Sequence, residues 1–249
     1  MFDFFVLLTW NGFILLFTLS LLEIVLGIDN ILFISIVTDE LPDKKKKQTR
    51  NIGLIIALLL RLILLTIVSW LIGLTEPLFY LFSKAFSAQS LVLFLGGIFL
   101  IYKSVHELHK SVSNEEKIKE ENKFKNTALI IFQIIIIDLV FSFDSIISAI
   151  GMTNGIEEEL NGGNPIIIIY LSIIISMIVM IIFASKISEF ISKYPTFKLI
   201  ALGFLVTIGV FLVADAFGHH IPKGYLYFAL VFSFIIELFN IRIRNFKSQ

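Results

Sequence analysis

Residues 9–38 read TWNGFILLFTLSLLEIVLGIDNILFISIVT, a run whose only ionisable side chains are Glu23 and Asp29. About 20 mostly apolar residues cross about 30 Å of hydrocarbon as a helix, so this run spans a bilayer and carries two acids into it. Six further stretches of the same kind lie at about 52–74, 87–107, 127–151, 165–188, 197–217 and 224–241. All five prolines (Pro42, Pro77, Pro165, Pro195, Pro222) fall between these stretches or at their first residue, where a missing N–H costs least. Runs this long satisfy their backbone amides internally as helices, unlike the alternating ten-residue strands of a barrel. The expected fold is therefore all-α and polytopic, a single transmembrane domain over 1–249 with seven transmembrane helices.

Composition agrees. The chain of 249 residues is 57% hydrophobic and 16% charged, with a mean hydropathy of +0.93, which excludes a soluble enzyme of this length. It has no cysteine, so disulfides, thiolate-ligated metals and thiol nucleophiles are excluded together. Twenty basic residues balance twenty acidic ones, and no whole-chain charge points to nucleic acid as a partner.

Orientation follows from where the positive charges fall. Lys44–Lys47 with Arg50, the six lysines from Lys103 to Lys125, Lys186 with Lys193 and Lys198, and Arg242, Arg244 and Lys247 lie after spans one, three and five and in the tail. Those are 17 of the 20 lysines and arginines. The opposite side has Lys84 and Lys223, and Arg61 lies inside a span. The expected N-terminus is outside and the C-terminus cytoplasmic. No basic segment with a cleavage site precedes span one, which is expected to be retained. The polar stretch at about 110–126 is expected to form a cytoplasmic loop.

The sequence repeats itself internally. Glu23-Ile-Val-Leu-Gly-Ile-Asp29-Asn30 in span one aligns with Asp138-Leu-Val-Phe-Ser-Phe-Asp144-Ser145 in span four at a single offset of 115, and Thr38 falls on Thr153. A half of three spans duplicated in this way has opposite orientations in its two copies. The expectation is two inverted three-helix repeats, about 9–107 and 127–217, plus a final helix at about 224–241. Within each copy the two acids are six residues apart, about 9 Å of rise and about 120° of azimuth. Either they serve different sides of a cavity, or the helix unwinds near Gly27 and near Ser142.

Acids facing lipid cost about 2.5–3.5 kcal/mol each on insertion scales, so these side chains face a cavity or a partner. One arginine, Arg61, with polar Gln133 nearby, cannot neutralise Glu23, Asp29, Asp138 and Asp144, and Asp215 and Glu237 add two more acids in later spans. The excess charge is to be met by protons or by a cation. Carboxylate, amide and hydroxyl oxygens suit hard divalent ions over soft ones.

These motifs resemble the two signature motifs of the TerC family of integral membrane proteins. The resemblance extends to Gly96-Gly97-Ile-Phe-Leu-Ile-Tyr-Lys103-Ser104-Val-His-Glu107-Leu-His109, to His220-Ile-Pro-Lys-Gly-Tyr-Leu-Tyr-Phe-Ala, and to Glu237-Leu-Phe-Asn240. It is nearest to the short branch without a C-terminal soluble domain. It implies a cytoplasmic-membrane protein that exports divalent metal, with Mn²⁺ as the transported ion; the expected cycle is driven by proton or cation exchange, and no bound cofactor is expected. The alternatives are a membrane partner of the secretion machinery that delivers manganese to secreted proteins, and a calcium or cation–proton exchanger. Asp215 stands where relatives are expected to carry Glu.

The expected metal ligands are Asp29 and Asp144, with Asn30 and Ser145 beside them, and Glu23 and Asp138 near the midplane either completing the site or carrying protons. Arg61 is expected as a counter-ion to empty carboxylates. Lys103 and Glu107 read as a surface ion pair, with Glu107 at the inner mouth as the functional alternative. Met177 and Met180 read as apolar filler. The pairings of intramembrane aspartyl proteases and His-Glu-x-x-His are missing, so the chain is not expected to be an enzyme.

Overall fold

The computed structural model describes residues 4–39, 41–67, 77–81, 84–113, 126–153 and 165–247; the Asp144 side chain lies outside the described residues. After a 3-10 turn at Phe4–Leu8 the chain forms α1 (Trp10–Leu26), α2 (Ile28–Asp39) and α3 (Asp43–Thr66). A hairpin of β1 (Pro77–Leu81) and β2 (Lys84–Ser87) follows, then α4 (Ala88–Ser113), α5 (Thr127–Thr153), α6 (Ile166–Lys193), α7 (Pro195–Ala216) and α8 (Lys223–Lys247). With α1 and α2 taken together, seven helical segments among the described residues are long and apolar enough to cross a membrane. Large apolar side chains such as Trp10 and Phe228 stay more than 70% exposed, as expected where lipid is the solvent.

Helix ends depart from the sequence expectation in a consistent direction. α3 begins at Asp43, not near 52, and α4 continues to Ser113 into the stretch expected as loop. Hydropathy marks where a segment is apolar, whereas Lys, Glu and Arg are good helix formers and carry the helix on into water. The predicted end of span two, like most of the cytoplasmic loop, lies outside the described residues. Pro195 occupies the first turn of α7, where its missing N–H is harmless. The hairpin was not anticipated; it is antiparallel, pairing Phe79 with Phe86 and Leu81 with Lys84.

The chain divides into two compact units. The first takes 1–76 and 125–188, hence α1, α2, α3, α5 and most of α6; the second takes 77–124 and 189–249, hence the hairpin, α4, α7 and α8. Each draws on spans from both halves of the sequence duplication.

In the first unit α1 gives way to α2 at Gly27, a single turn residue (φ −82°, ψ −8°) whose N–H still reaches Glu23 O at 2.9 Å. A Cβ at Gly27 would collide with Met180 Sδ, so the glycine lets α6 press against the break. α5, in contrast, runs unbroken through Ser142. The helix thus yields at Gly27 and does not unwind at Ser142, because a helical serine can donate back to the carbonyl one turn earlier, as Ser142 does to Asp138 O. α6 lies antiparallel to α3, with Tyr170 Oη against Thr66 Oγ1 and Ser185 Oγ against Arg50.

In the second unit α4 and α7 pack along their lengths. A Cβ on Gly97 would lie 2.7 Å from Gly209 O, and one on Gly209 would lie 2.9 Å from Gly97 O. The contacts of Gly97 with Val213, Gly209 with Ile101 and the Phe94 ring with Phe217 fix an antiparallel register. Small residues let backbones approach where no hydrophobic force acts between helices in lipid. Alanine at Gly97 or Gly209 is expected to force the helices apart and lose about 1–3 kcal/mol. Gly203→Ala, where a Cβ meets nothing within 4 Å, is expected to be neutral or stabilising, and the melting temperatures of the three variants in detergent check this.

Candidate functional site

The first unit buries a charged knot. Glu23 on α1, Arg61 on α3 and Asp138 on α5 are 1%, 2% and 3% exposed. Arg61 splits its guanidinium between two acids, Nη1 donating to Glu23 Oε2 at 2.8 Å and Nη2 to Asp138 Oδ1 at 2.8 Å. Asn30 Nδ2, from the first turn of α2, also donates to Asp138 Oδ1 at 3.0 Å, and Ser142 Oγ is 3.1 Å from Asp138 Oδ2. Three helices, α2, α3 and α5, therefore meet at one carboxylate, and Arg61 joins α1 to them.

Among the described residues, three polar atoms of this knot have no hydrogen-bond partner: Glu23 Oε1, Asn30 Oδ1 and Arg61 Nε. Two of them are oxygen acceptors, the donor type that hard cations take. Asp29 is buried in the first turn of α2, beside Asn30 in sequence. Ser145 is buried and turns its hydroxyl back to Ser142 O at 3.3 Å. Gln133 is half-buried on α5 with its Oε1 unpartnered, and no bond ties it to the knot among those described. With Asp144 outside the described residues, no three His, Asp or Glu side chains among the rest stand close enough to hold a metal.

The other acids belong to the second unit. Glu107 is buried on α4 and receives Lys110 Nζ at 2.8 Å and Lys103 Nζ at 3.4 Å. The expected Lys103 pair is present, but it is not a surface bridge. Asp215, on the last turn of α7, lines a cavity with Gln89, Ser90, His219 and His220, and its Oδ1 lies 3.3 Å from His220 Nδ1. Glu237 is buried on α8 and accepts from Asn240 Nδ2 at 3.2 Å.

Some participants escaped the sequence reading. Ser142 stands one helical turn after Asp138, a spacing that signals its hydrogen bond, yet it drew notice only as the counterpart of Gly27 and as a possible point of unwinding. Arg50, grouped with the cytoplasmic lysines, is buried against Ser185. Its place eleven residues before Arg61 on α3 puts it about 16 Å from the knot along the helix.

A polytopic helical membrane protein with a buried acid–arginine–acid knot is the class these features define. The chain belongs to the TerC family: the sequence profile of the integral membrane protein TerC family matches residues 8–249. A UPF0053 protein of Haemophilus influenzae is 42% identical over 236 residues, 94% of this chain and 95% of that one. The UPF0053 inner membrane protein YgdQ of Escherichia coli K12 is 40% identical over 240 residues, 96% of this chain and 95% of YgdQ. The UPF0053 inner membrane protein YoaE of the same strain is 42% identical over 239 residues, 95% of this chain but 44% of YoaE, so the chain spans less than half of that relative. No solved structure matches the chain. It is a multi-pass inner-membrane protein.

Removing one member of a buried charged network leaves its partners uncompensated, at about 3–5 kcal/mol. Asp138→Leu is expected to lose that much stability, because Arg61 and Asn30 both lose their acceptor. Asp138→Asn keeps an oxygen in place and is expected to lose less. Unfolding of the purified variants in detergent ranks them.

Proposed function

We propose that the chain exports a divalent cation, Mn²⁺ above others, across the inner membrane by alternating access, and that it is not an enzyme. The observation that supports this is the charge balance in the first unit. Glu23, Asp29 and Asp138 are buried there with Arg61 among them. When ionised, these four groups sum to −2, and Asp144, on α5 of the same unit, brings the candidate set to −3, an excess that one divalent ion and one proton together neutralise. Oxygen donors at Glu23, Asp29, Asn30, Asp138, Asp144 and Ser145 favour a hard ion. Protons or a counter-cation reset the acids on the return step.

The orientation and the inverted repeat belong to the same proposal. Glu23 and Asp138 are equivalent at the 115-residue offset and share one guanidinium, which supports reading them as counterparts in an inverted repeat. The distribution of lysine and arginine supports an external N-terminus. Alternating access then exposes the knot first to the cytoplasm and afterwards to the outside. The family resemblance supports manganese as cargo.

Purified protein in proteoliposomes is expected to move Mn²⁺. Asp29→Asn with Asp144→Asn, and separately Glu23→Gln, are expected to reduce flux at least tenfold in protein that remains folded. Wild type that binds Mn²⁺ without moving it would replace the exporter with a metal-delivering partner protein. Flux left unchanged in the folded variants would remove these acids from the pathway.

A further inference from the structure

The way Arg61 is held suggests more than a tie between helices. A guanidinium makes its strongest contact with a carboxylate through two parallel bonds to one acid. Arg61 instead gives one terminal nitrogen to Glu23 and the other to Asp138, at 2.8 Å each, and its Nε has no partner. Arg61 holds each acid through a single oxygen, and the second oxygen of Asp138 takes only the Ser142 hydroxyl at 3.1 Å. Glu23 keeps Oε1 unpartnered, and Asn30 keeps Oδ1 unpartnered beside Asp138. Those atoms are buried beside a single positive charge that balances only one of the two carboxylates it touches.

Resting on the exporter reading, we propose that Arg61 is the built-in competitor of the transported cation. Its guanidinium occupies the Glu23 and Asp138 carboxylates in the empty carrier and withdraws when a divalent ion takes its place. The ion brings the second positive charge that Arg61 lacks, and it finds Glu23 Oε1 and Asn30 Oδ1 already without partners. Cation and guanidinium compete for these carboxylates, because two positive charges held at contact distance of the same oxygens repel each other. When the ion leaves, the return of Arg61 spares the protein two facing buried carboxylates with nothing between them. Arg61 therefore sets affinity low enough for release and lets the empty carrier reorient. At the 115-residue offset Arg61 falls on Ser176, which is buried and bonded to its own helix through Ile173 O. The competitor thus exists in one half only, while the acids exist in both.

The test titrates Mn²⁺ against the purified full-length protein in detergent, as wild type, R61Q and R61K, reading affinity by calorimetry and stabilisation by melting temperature. Without Mn²⁺, R61Q is expected to melt below wild type. It is expected to bind Mn²⁺ at least tenfold more tightly, so that saturating Mn²⁺ raises its melting temperature by more than that of wild type. In proteoliposomes it is expected to turn over more slowly, because release is retarded. R61K, whose ammonium cannot span both acids, is expected to bind with intermediate affinity.

A merely structural arginine would leave R61Q equally destabilised but not rescued by Mn²⁺ and no tighter in binding; that result overturns the proposal. If R61Q yields no folded protein, R61K decides, and an affinity equal to or weaker than wild type overturns it. Wild-type flux is measured beside these. Wild type that moves no Mn²⁺ overturns the exporter reading, whereas wild-type flux with no gain of affinity in either variant overturns the competitor alone.

Discussion

One guanidinium between two carboxylates governs the first unit. Inside a bilayer, hydrophobic burial does not choose how helices face one another, since lipid tails are as apolar as leucine. The bonds from Arg61 to Glu23 and Asp138 therefore select which faces of α1, α3 and α5 meet. Asn30 adds α2 to the same point. Buried ion networks seldom add net stability over a well-packed apolar substitute. Their presence here argues for a role in binding or in specificity of packing.

The second unit solves the same problem without charge at its centre. α4 and α7 meet through glycine against glycine, with the phenylalanines Phe86 and Phe94 set edge-on to Phe217 at the hairpin end. Its acids lie away from that contact, Glu107 among lysines and Asp215 beside a histidine. Close backbone approach gives rigidity through dispersion and weak Cα–H···O contacts. The polar knot gives a contact whose partners can exchange.

Much of this was readable from the sequence, and the physics says which part. Seven spans follow from hydropathy, because the bilayer enforces the length of an apolar run. The duplicated motif named Glu23 and Asp138 as counterparts, and Arg61 as the basic residue available to them. What the sequence left open was decided in three dimensions. Gly27 or Ser142 as a break point turned on whether a hydroxyl could bond back along its own helix. Arg50 looked like one more cytoplasmic charge, since hydropathy does not report which face of a helix is covered. Met180 looked like filler, and its role appears only where its sulfur meets the missing side chain of Gly27. The ends of α3 and α4 ran past the apolar boundary because helix propensity and partition into lipid are separate preferences.

The reciprocal approach of Gly97 and Gly209 has a consequence for descent. Each glycine is hemmed in by the backbone oxygen of the other. When a neighbouring side chain is the obstacle, a shorter one can accommodate a larger residue, and two positions drift together through compensating changes. A peptide oxygen has no smaller version. Shortening Ile101, the nearest side chain to Gly209, would still leave the peptide oxygen in place, so a change in descent at either glycine has to be met by a shift of the helix backbones themselves.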